Sequence, residues 1–275
     1  MYLFNLFIKK RVLLVLGLLV WSAAAEAGSH PYARALVDID DLCVVTSQME
    51  RDYAIEGMGV SQKASADRLA RSEKLFKKEF SDVEKAKLSP ALHQEVIGLQ
   101  QNWNPILAIL KAAPQKNQMT NLDAEVRTFA SHCEKVAQDI QARSDVSGSE
   151  DALLLSRYDV DTQRLAAIYM MKAWGVADAN YSSEAKALLT KSSGVISKLR
   201  SSSQLSSTSK QRLQHIQTQF KLFEFMAVRD TKRFVPALMN KKADTIVKEV
   251  NAVLDKELAV LGIAGQMGFH EVKPC

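Results

Sequence analysis

Two stretches of this chain carry apolar residues in alternating steps of four and three. Leu92, Val96, Leu99, Trp103, Ile106 and Leu110 form one run, and Leu122, Val126, Phe129, Cys133, Val136 and Ile140 form the other. Side chains spaced in this way lie on one stripe of an α-helix, and such a stripe is buried only against other helices. Leu213, Ile216, Phe220 and Phe223 repeat the first seam, and Ile246, Val250, Val253 and Leu258 approximate the second. Leu69, Phe76 and Phe80, with Leu188, Val195 and Leu199, form sparser stripes amid Lys, Glu and Ser. The chain has only 11 Gly and 6 Pro in 275 residues, which excludes a turn-rich β-sandwich or barrel. Helices are therefore the expected unit throughout.

Breaks between helices are expected near Gly57-Met58-Gly59, Ala86 to Pro90, Ala113-Pro114, Val146 to Ser149, Asn180 to Ser183 and Ser201 to Ser209. Pro105 falls inside a seam and marks either a kinked helix or a helix boundary. The segment Asp40 to Val60 aligns on Ser156 to Val176, matching Val44 with Val160, Thr46 with Thr162, Tyr53 with Tyr169, Gly59 with Gly175 and Val60 with Val176. The next segment repeats in step: Leu88-Ser89 falls on Leu205-Ser206, Gln94 on Gln211 and Trp103 on Phe220. The expected fold is all-α, with two tandem up-down-up-down four-helix bundles over residues 30–145 and 148–265 and a tail over 266–275.

Residues 1–27 read as a secretory signal peptide: Lys9-Lys10-Arg11, an apolar run from Val12, then the small residues Ala23, Ala25 and Ala27 before a cut. The apolar stretch is shorter than the roughly 18 to 20 residues of a spanning helix. A soluble periplasmic protein is expected, the alternative being that the leader stays uncleaved as an anchor. Without Lys9, Lys10, Arg11 and Glu26 the formal charge of +5 falls to about +3, and no basic stripe is interleaved with aromatics, so nucleic acid is not an expected partner.

Catalytic signatures such as G-x-S-x-G, HExxH, phosphate loops and Rossmann glycines are absent from the sequence, so no enzyme activity, catalytic residue or cofactor is expected. His30, His93, His132, His215 and His270 are scattered, no C-x-x-C pair occurs, and no Glu-x-x-His device is present, so no metal site is expected either. Cys43 and Cys133 each lie about 18 Å of helix from the same end of the first bundle, on its first and fourth helices. They form either a disulfide, which the secretory route permits, or a pair of buried thiols. Cys275 is left over as a free or intermolecular thiol.

Arg157, Thr162, Gln163 and Arg164 on the first helix of the second unit, with Thr46, Gln48 and Arg51 on its counterpart, form a candidate ligand site. Guanidinium groups flanked by hydroxyl and amide donors suit a small oxyanion, above all where two such helices meet across a dimer axis. The alternative is a solvated helix face with ion pairs to Asp159, Asp161, Glu50 and Asp52. Tyr53, Tyr169, Trp103, Phe220 and Met170-Met171 are expected in the core.

Thr162-Gln-Arg-Leu-Ala-Ala-Ile-Tyr169, Ala173-Trp-Gly-Val176 and Gln217-Thr-Gln-Phe220-Lys-Leu-Phe-Glu-Phe225 carry a family likeness. The chain resembles the PilJ-type sensor domain, the extracytoplasmic four-helix unit of type IV pilus methyl-accepting transducers, related to the NarX-type nitrate sensor. The resemblance covers both units and implies sensing or ligand binding in signal transduction and chemotaxis. Laid on residues 156–166, the family motif keeps Arg157 and Arg164 but meets Asp159, and Cys43 in the first unit, where its anion-binding arginine lies. A carboxylate there repels nitrate. Family receptors continue into a second membrane helix and a cytoplasmic signalling region, which this sequence lacks. It is therefore expected to act through a partner: a membrane receptor, a pilus component or a second copy. The alternative is a helical structural or assembly factor without a small ligand.

Overall fold

The computed structural model describes residues 30–60, 62–143, 149–176, 178, 180–228 and 234–260. The expected leader, the end of the second unit, the tail with Cys275, and His270 lie outside the described residues. Those described contain eight helices and no strand: α1 (His30–Gly57), α2 (Gln62–Lys85), α3 (Pro90–Leu110), α4 (Lys116–Gln141), α5 (Ser149–Trp174), α6 (Tyr181–Ser201), α7 (Ser207–Val228) and α8 (Pro236–Val260). The all-α expectation holds, and the helix ends fall at the expected breaks. No helix among the described residues is long and apolar enough to cross a membrane.

Local chemistry accounts for these ends. Ser89 caps α3, its hydroxyl accepting the N–H of Leu92, and Pro90 fills the first turn where no N–H is needed. Pro105 lies within α3, which runs on to Leu110, so the continuous helix forms rather than a boundary. Trp103 and Ile106, buried on either side of it, hold the helix across the missing hydrogen bond. α1 and α5 end alike. Gly59 N–H reaches Glu56 O and Val60 N–H reaches Ile55 O, while Gly175 N–H reaches Lys172 O and Val176 N–H reaches Met171 O. Both are Schellman turns, with φ of +73° at Gly59 and +76° at Gly175.

Other matched residues do matching work. Thr46 and Thr162 each donate a hydroxyl to the carbonyl four residues back, at Leu42 and Tyr158. The Tyr53 hydroxyl accepts the N–H of Gln115 at 3.1 Å, at the start of α4, and the Tyr169 hydroxyl accepts that of Val235 at 2.8 Å, at the start of α8. Each tyrosine thus satisfies a backbone group left without a partner at a helix start.

The seams are buried as their spacing predicts. Leu92, Val96, Leu99, Trp103 and Ile106 of α3 and all six seam residues of α4 lie in one core, together with Leu213, Ile216, Phe220 and Phe223 of α7. Trp103 stacks on Phe76, with ring centroids 3.8 Å apart, and Phe220 lies 5.2 Å from Tyr158 and 5.8 Å from Phe223. Each such side chain withdrawn from water contributes about 1.5–3 kcal/mol.

α1 packs on α2, α4 and α5, and α5 packs on α1, α6 and α8. The α1–α5 contact is the most extensive between any two helices. Its register is parallel: Asp40 bonds near the start of α5 at Ser156, Arg51 meets Gln163 in the middle, and Tyr53 lies edge-on to Trp174 at the end. Surrounded in this way, α1 is buried at every residue from Ala35 to Ile55 except the half-buried Gln48, and α5 is buried throughout 161–171.

The two Schellman glycines give a direct test of the matched ends. Gly59→Ala and Gly175→Ala each force a Cβ into the left-handed region, and neither meets backbone within 3.4 Å. Each is expected to lower the unfolding free energy by about 1–2 kcal/mol, measured by urea denaturation. A loss at only one of the two sites would contradict equivalent roles.

Candidate functional site

Burial of α1 and α5 on all sides leaves their polar side chains dependent on one another, because a buried charge without a partner is costly. Arg164 (7% exposed) is held by three carboxylates from three helices. Its Nη1 lies 2.9 Å from both oxygens of Glu50 on α1 and 2.5 Å from Asp123 on α4, and its Nε lies 2.7 Å from Glu184 on α6. Arg127 of α4 closes the same network through Asp123, Asp178 and Glu184.

Arg51 (2% exposed) makes the reciprocal crossing. Its Nη1 donates to Gln163 at 2.6 Å and pairs with Asp244 of α8 at 2.8 Å, and its neighbour Asp52 is held by Arg68 of α2 at 2.9 Å. Each central helix therefore sends one arginine to the last helix of the other half of the chain. Burial works against the charge of Arg164, but Glu50, Glu184 and Asp123 outweigh it and raise its pKa. Burial also pushes the Glu50 carboxyl well above its ordinary range despite Arg164. At Asp123 burial is outweighed by Arg164, Glu50 and Arg127, and the carboxyl is lowered.

Of the residues expected to hold an oxyanion, the structure joins Arg51 to Gln163 and sends Arg164 to a separate set of carboxylates. Thr46 and Thr162 spend their hydroxyls on their own helices, and Gln48 is half-buried. Arg157 is drawn to Asp40 and Glu134, at 3.7 Å from the latter. The two arginines at the centre are engaged by the protein's own carboxylates, as an anion site is not. Nor is this a solvated face: Glu50 and Asp52 are paired, with Arg164 and Arg68, but inside the protein.

Cys43 and Cys133 come together as their positions along α1 and α4 imply. They are two buried free thiols in mutual hydrogen-bonding contact, not a disulfide. Burial raises both thiol pKa values. The core reading of Tyr53, Tyr169, Trp103, Phe220, Met170 and Met171 holds. His132 is bound by Asn102 and Glu95.

A feature that the histidine and cysteine pattern did not reveal lies nearer the start of α1. Oxygens of Asp38, Asp41 and Glu79 lie within 4.8 Å of one another, all three residues buried. Asp159 of α5 faces Asp41, and Asp40 lies beside Arg157 and Ser156. Burial raises the carboxyls of Asp38 to about 6, against Arg34, and of Asp40 to about 7, against Arg157 and Ser156. Asp41 and Asp159 are pushed well above the usual range, by burial first and then by neighbouring carboxylates. The spacing of Asp38 and Asp41 put both on one helix face. Glu79, on a separate helix, gave no signal that it would join them.

Comparison of the chain with protein-family models, curated proteins and solved structures finds no match in any of the three. Function therefore has to be argued from the geometry itself.

The central network predicts a large, one-sided cost. Arg164→Met leaves Glu50 and Asp123 buried without their cation and is expected to remove about 3–5 kcal/mol of stability. Adding Glu50→Gln should recover part of that loss. Urea unfolding of both variants checks this, and a loss under about 1 kcal/mol would place the pair in the range of solvent-screened surface bridges. For the cysteines, the unfolded protein purified without reductant should show equal thiol counts before and after reduction; two additional thiols after reduction would instead reveal a bridge.

Proposed function

We propose that the protein is a periplasmic, non-enzymatic sensory or ligand-binding component that resembles the PilJ-type sensor domain and acts through a partner. In this reading residues 30–145 and 148–265 are two tandem up-down-up-down four-helix modules from one duplication, preceded by a cleaved leader. The matched roles of Thr46 and Thr162, Tyr53 and Tyr169, and Gly59 and Gly175 support the duplication.

The observation that carries the sensory reading is the parallel pairing of α1 with α5 around buried charges. A purely structural contact between helices is served as well or better by apolar residues, because desolvating ions costs several kcal/mol. Ionic groups kept at a helix–helix contact instead make its register depend on charge, and a bound ligand can then bias one packing over another. The segment that carries the family resemblance, Thr162 to Tyr169, lies on this contact. Arg51 and Arg164 are already neutralised there, and Asp159 stands where the family's anion-binding arginine lies, so nitrate is a poor fit.

The partner is a membrane receptor, a pilus component or a second copy of the chain. Exposed Val235 and Leu238, at the start of α8, supply an apolar surface for it. The same surface favours the second reading, a helical structural or assembly factor without a small ligand.

A thermal-shift series with small anions, carboxylates, amino acids and cations separates the two. A ligand of the native state at about a hundred times its Kd adds about 2.7 kcal/mol, and each kcal/mol raises the midpoint of a chain this size by about 2–4 °C. The sensory reading expects such a rise with at least one compound. An unchanged midpoint with all of them would favour the assembly factor.

A further inference from the structure

We propose that Asp38 and Asp41 of α1 and Glu79 of α2, faced by Asp159 of α5, form a binding site for one hard divalent cation, calcium in preference to magnesium. This goes beyond the sensory reading and does not depend on it, because it rests on the arrangement of four carboxylates alone.

Oxygens around one calcium ion lie about 2.3–2.6 Å from it, so two of them are separated by no more than about 5 Å. The oxygens of Asp38, Asp41 and Glu79 meet that condition pairwise, all lying within 4.8 Å of one another. Magnesium gives up its water reluctantly and is seldom held by protein carboxylates alone, so a buried all-carboxylate site favours calcium. The donors are all carboxylate oxygens, with no histidine or thiol among them, which selects a hard cation over zinc or copper.

A group of acidic side chains is not by itself a site, but here the oxygens are buried and left over. Asp41 Oδ2 and Glu79 Oε2 have no hydrogen-bond partner, in residues 3% and 0% exposed. Asp159, 1% exposed and outside that trio, also has a free Oδ1, and Asp41 acts on it as a like charge. Buried polar atoms are almost always paired, so the unpaired oxygens of Asp41 and Glu79, with that of the neighbouring Asp159, call for an occupant.

Carboxylates outnumber cations here, which favours a cation as the occupant. Arg34 pairs with Asp38 at 2.8 Å, and the half-exposed Lys78 pairs with the other oxygen of Glu79 at 3.0 Å and equally with Asp82. Asp38, Asp41, Glu79, Asp82 and Asp159 thus share two cations. Asp40 is served by Arg157 and Ser156. An ion in this position joins α1 to both α2 and α5, so its binding stiffens the same helix pair that the arginine network holds further along.

The test is calorimetric titration of the purified protein, stripped with EDTA and exchanged into metal-free buffer, with calcium, magnesium and manganese chlorides in turn. The expected result is one calcium per chain, bound at least tenfold more tightly than magnesium, with a raised thermal midpoint. Asp41→Asn and Glu79→Gln should each weaken calcium binding about tenfold or more. Both remove like-charge repulsion, so each variant should fold with a metal-free midpoint at or above that of the wild type. Asp67→Asn, at an exposed position on α2, should bind as the wild type does. Absence of heat and of any midpoint change up to about 5 mM calcium, above the range of extracellular calcium modules, overturns the proposal and leaves protons as the occupants. Calcium binding that survives both Asp41→Asn and Glu79→Gln overturns it as well, by placing the ion elsewhere.

Discussion

The structure depends on the contact of Arg164 with Glu50 between two helices that run parallel through the middle of the protein. Buried ion pairs add little to stability compared with apolar residues of the same volume; what they fix best is register. Sliding α1 along α5 by one turn, about 5.4 Å, would separate Arg164 from Glu50 and Arg51 from Gln163, leaving buried charges without these partners. Apolar side chains tolerate such a slip far better, because dispersion contacts carry no direction. The charges therefore select one alignment of α1 and α5, and the outer helices pack around the pair so aligned.

The same contact explains why the two halves of the chain are not independent. Arg51 leaves α1 for Asp244 on α8, and Arg164 leaves α5 for Asp123 on α4. Loss of either half would strand a buried charge in the other. Around this shared centre each half keeps its own version of the same local devices: a threonine bonded back along its helix, a tyrosine holding the start of a later helix, and a glycine closing the first. Such details cost little to keep and are hard to assemble twice by chance, which is why they speak for duplication more strongly than the apolar seams do.

Along its length the central pair differs in how its carboxylates are held. Toward the middle, Arg51, Arg68, Arg127 and Arg164 are each bonded directly to carboxylates. Toward the start of α1, Asp38, Asp41, Glu79 and Asp159 have Arg34 and Lys78 for cations, and Lys78 is shared with Asp82. The upward shifts of the buried acids there follow from burial and mutual repulsion, and they are relieved by protons or by a metal ion. An interior of this sign disfavours anions, so the arginines that suggest an oxyanion site in sequence serve the protein's own carboxylates.

What the sequence determined by itself was the helical architecture. Steps of four and three placed the seams of α3, α4 and α7, because a 3.6-residue period leaves one stripe to bury. Glycine, proline and serine placed the breaks, because their backbone preferences are local. The meeting of Cys43 and Cys133 was legible too, since distance along a helix is proportional to residue count. What only the tertiary structure decided was the fate of the charges on α1 and α5. Their sequences alternate polar and apolar residues with no clear seam, which reads equally as a wet face or a binding face. A helix surrounded on every side has no wet face, and that enclosure depends on where distant helices pack. Hence Glu79 joining Asp38 and Asp41, and Asp244 reaching Arg51, could not be read from spacing, although the stripes of α2 and α8 that display Glu79 and Asp244 could.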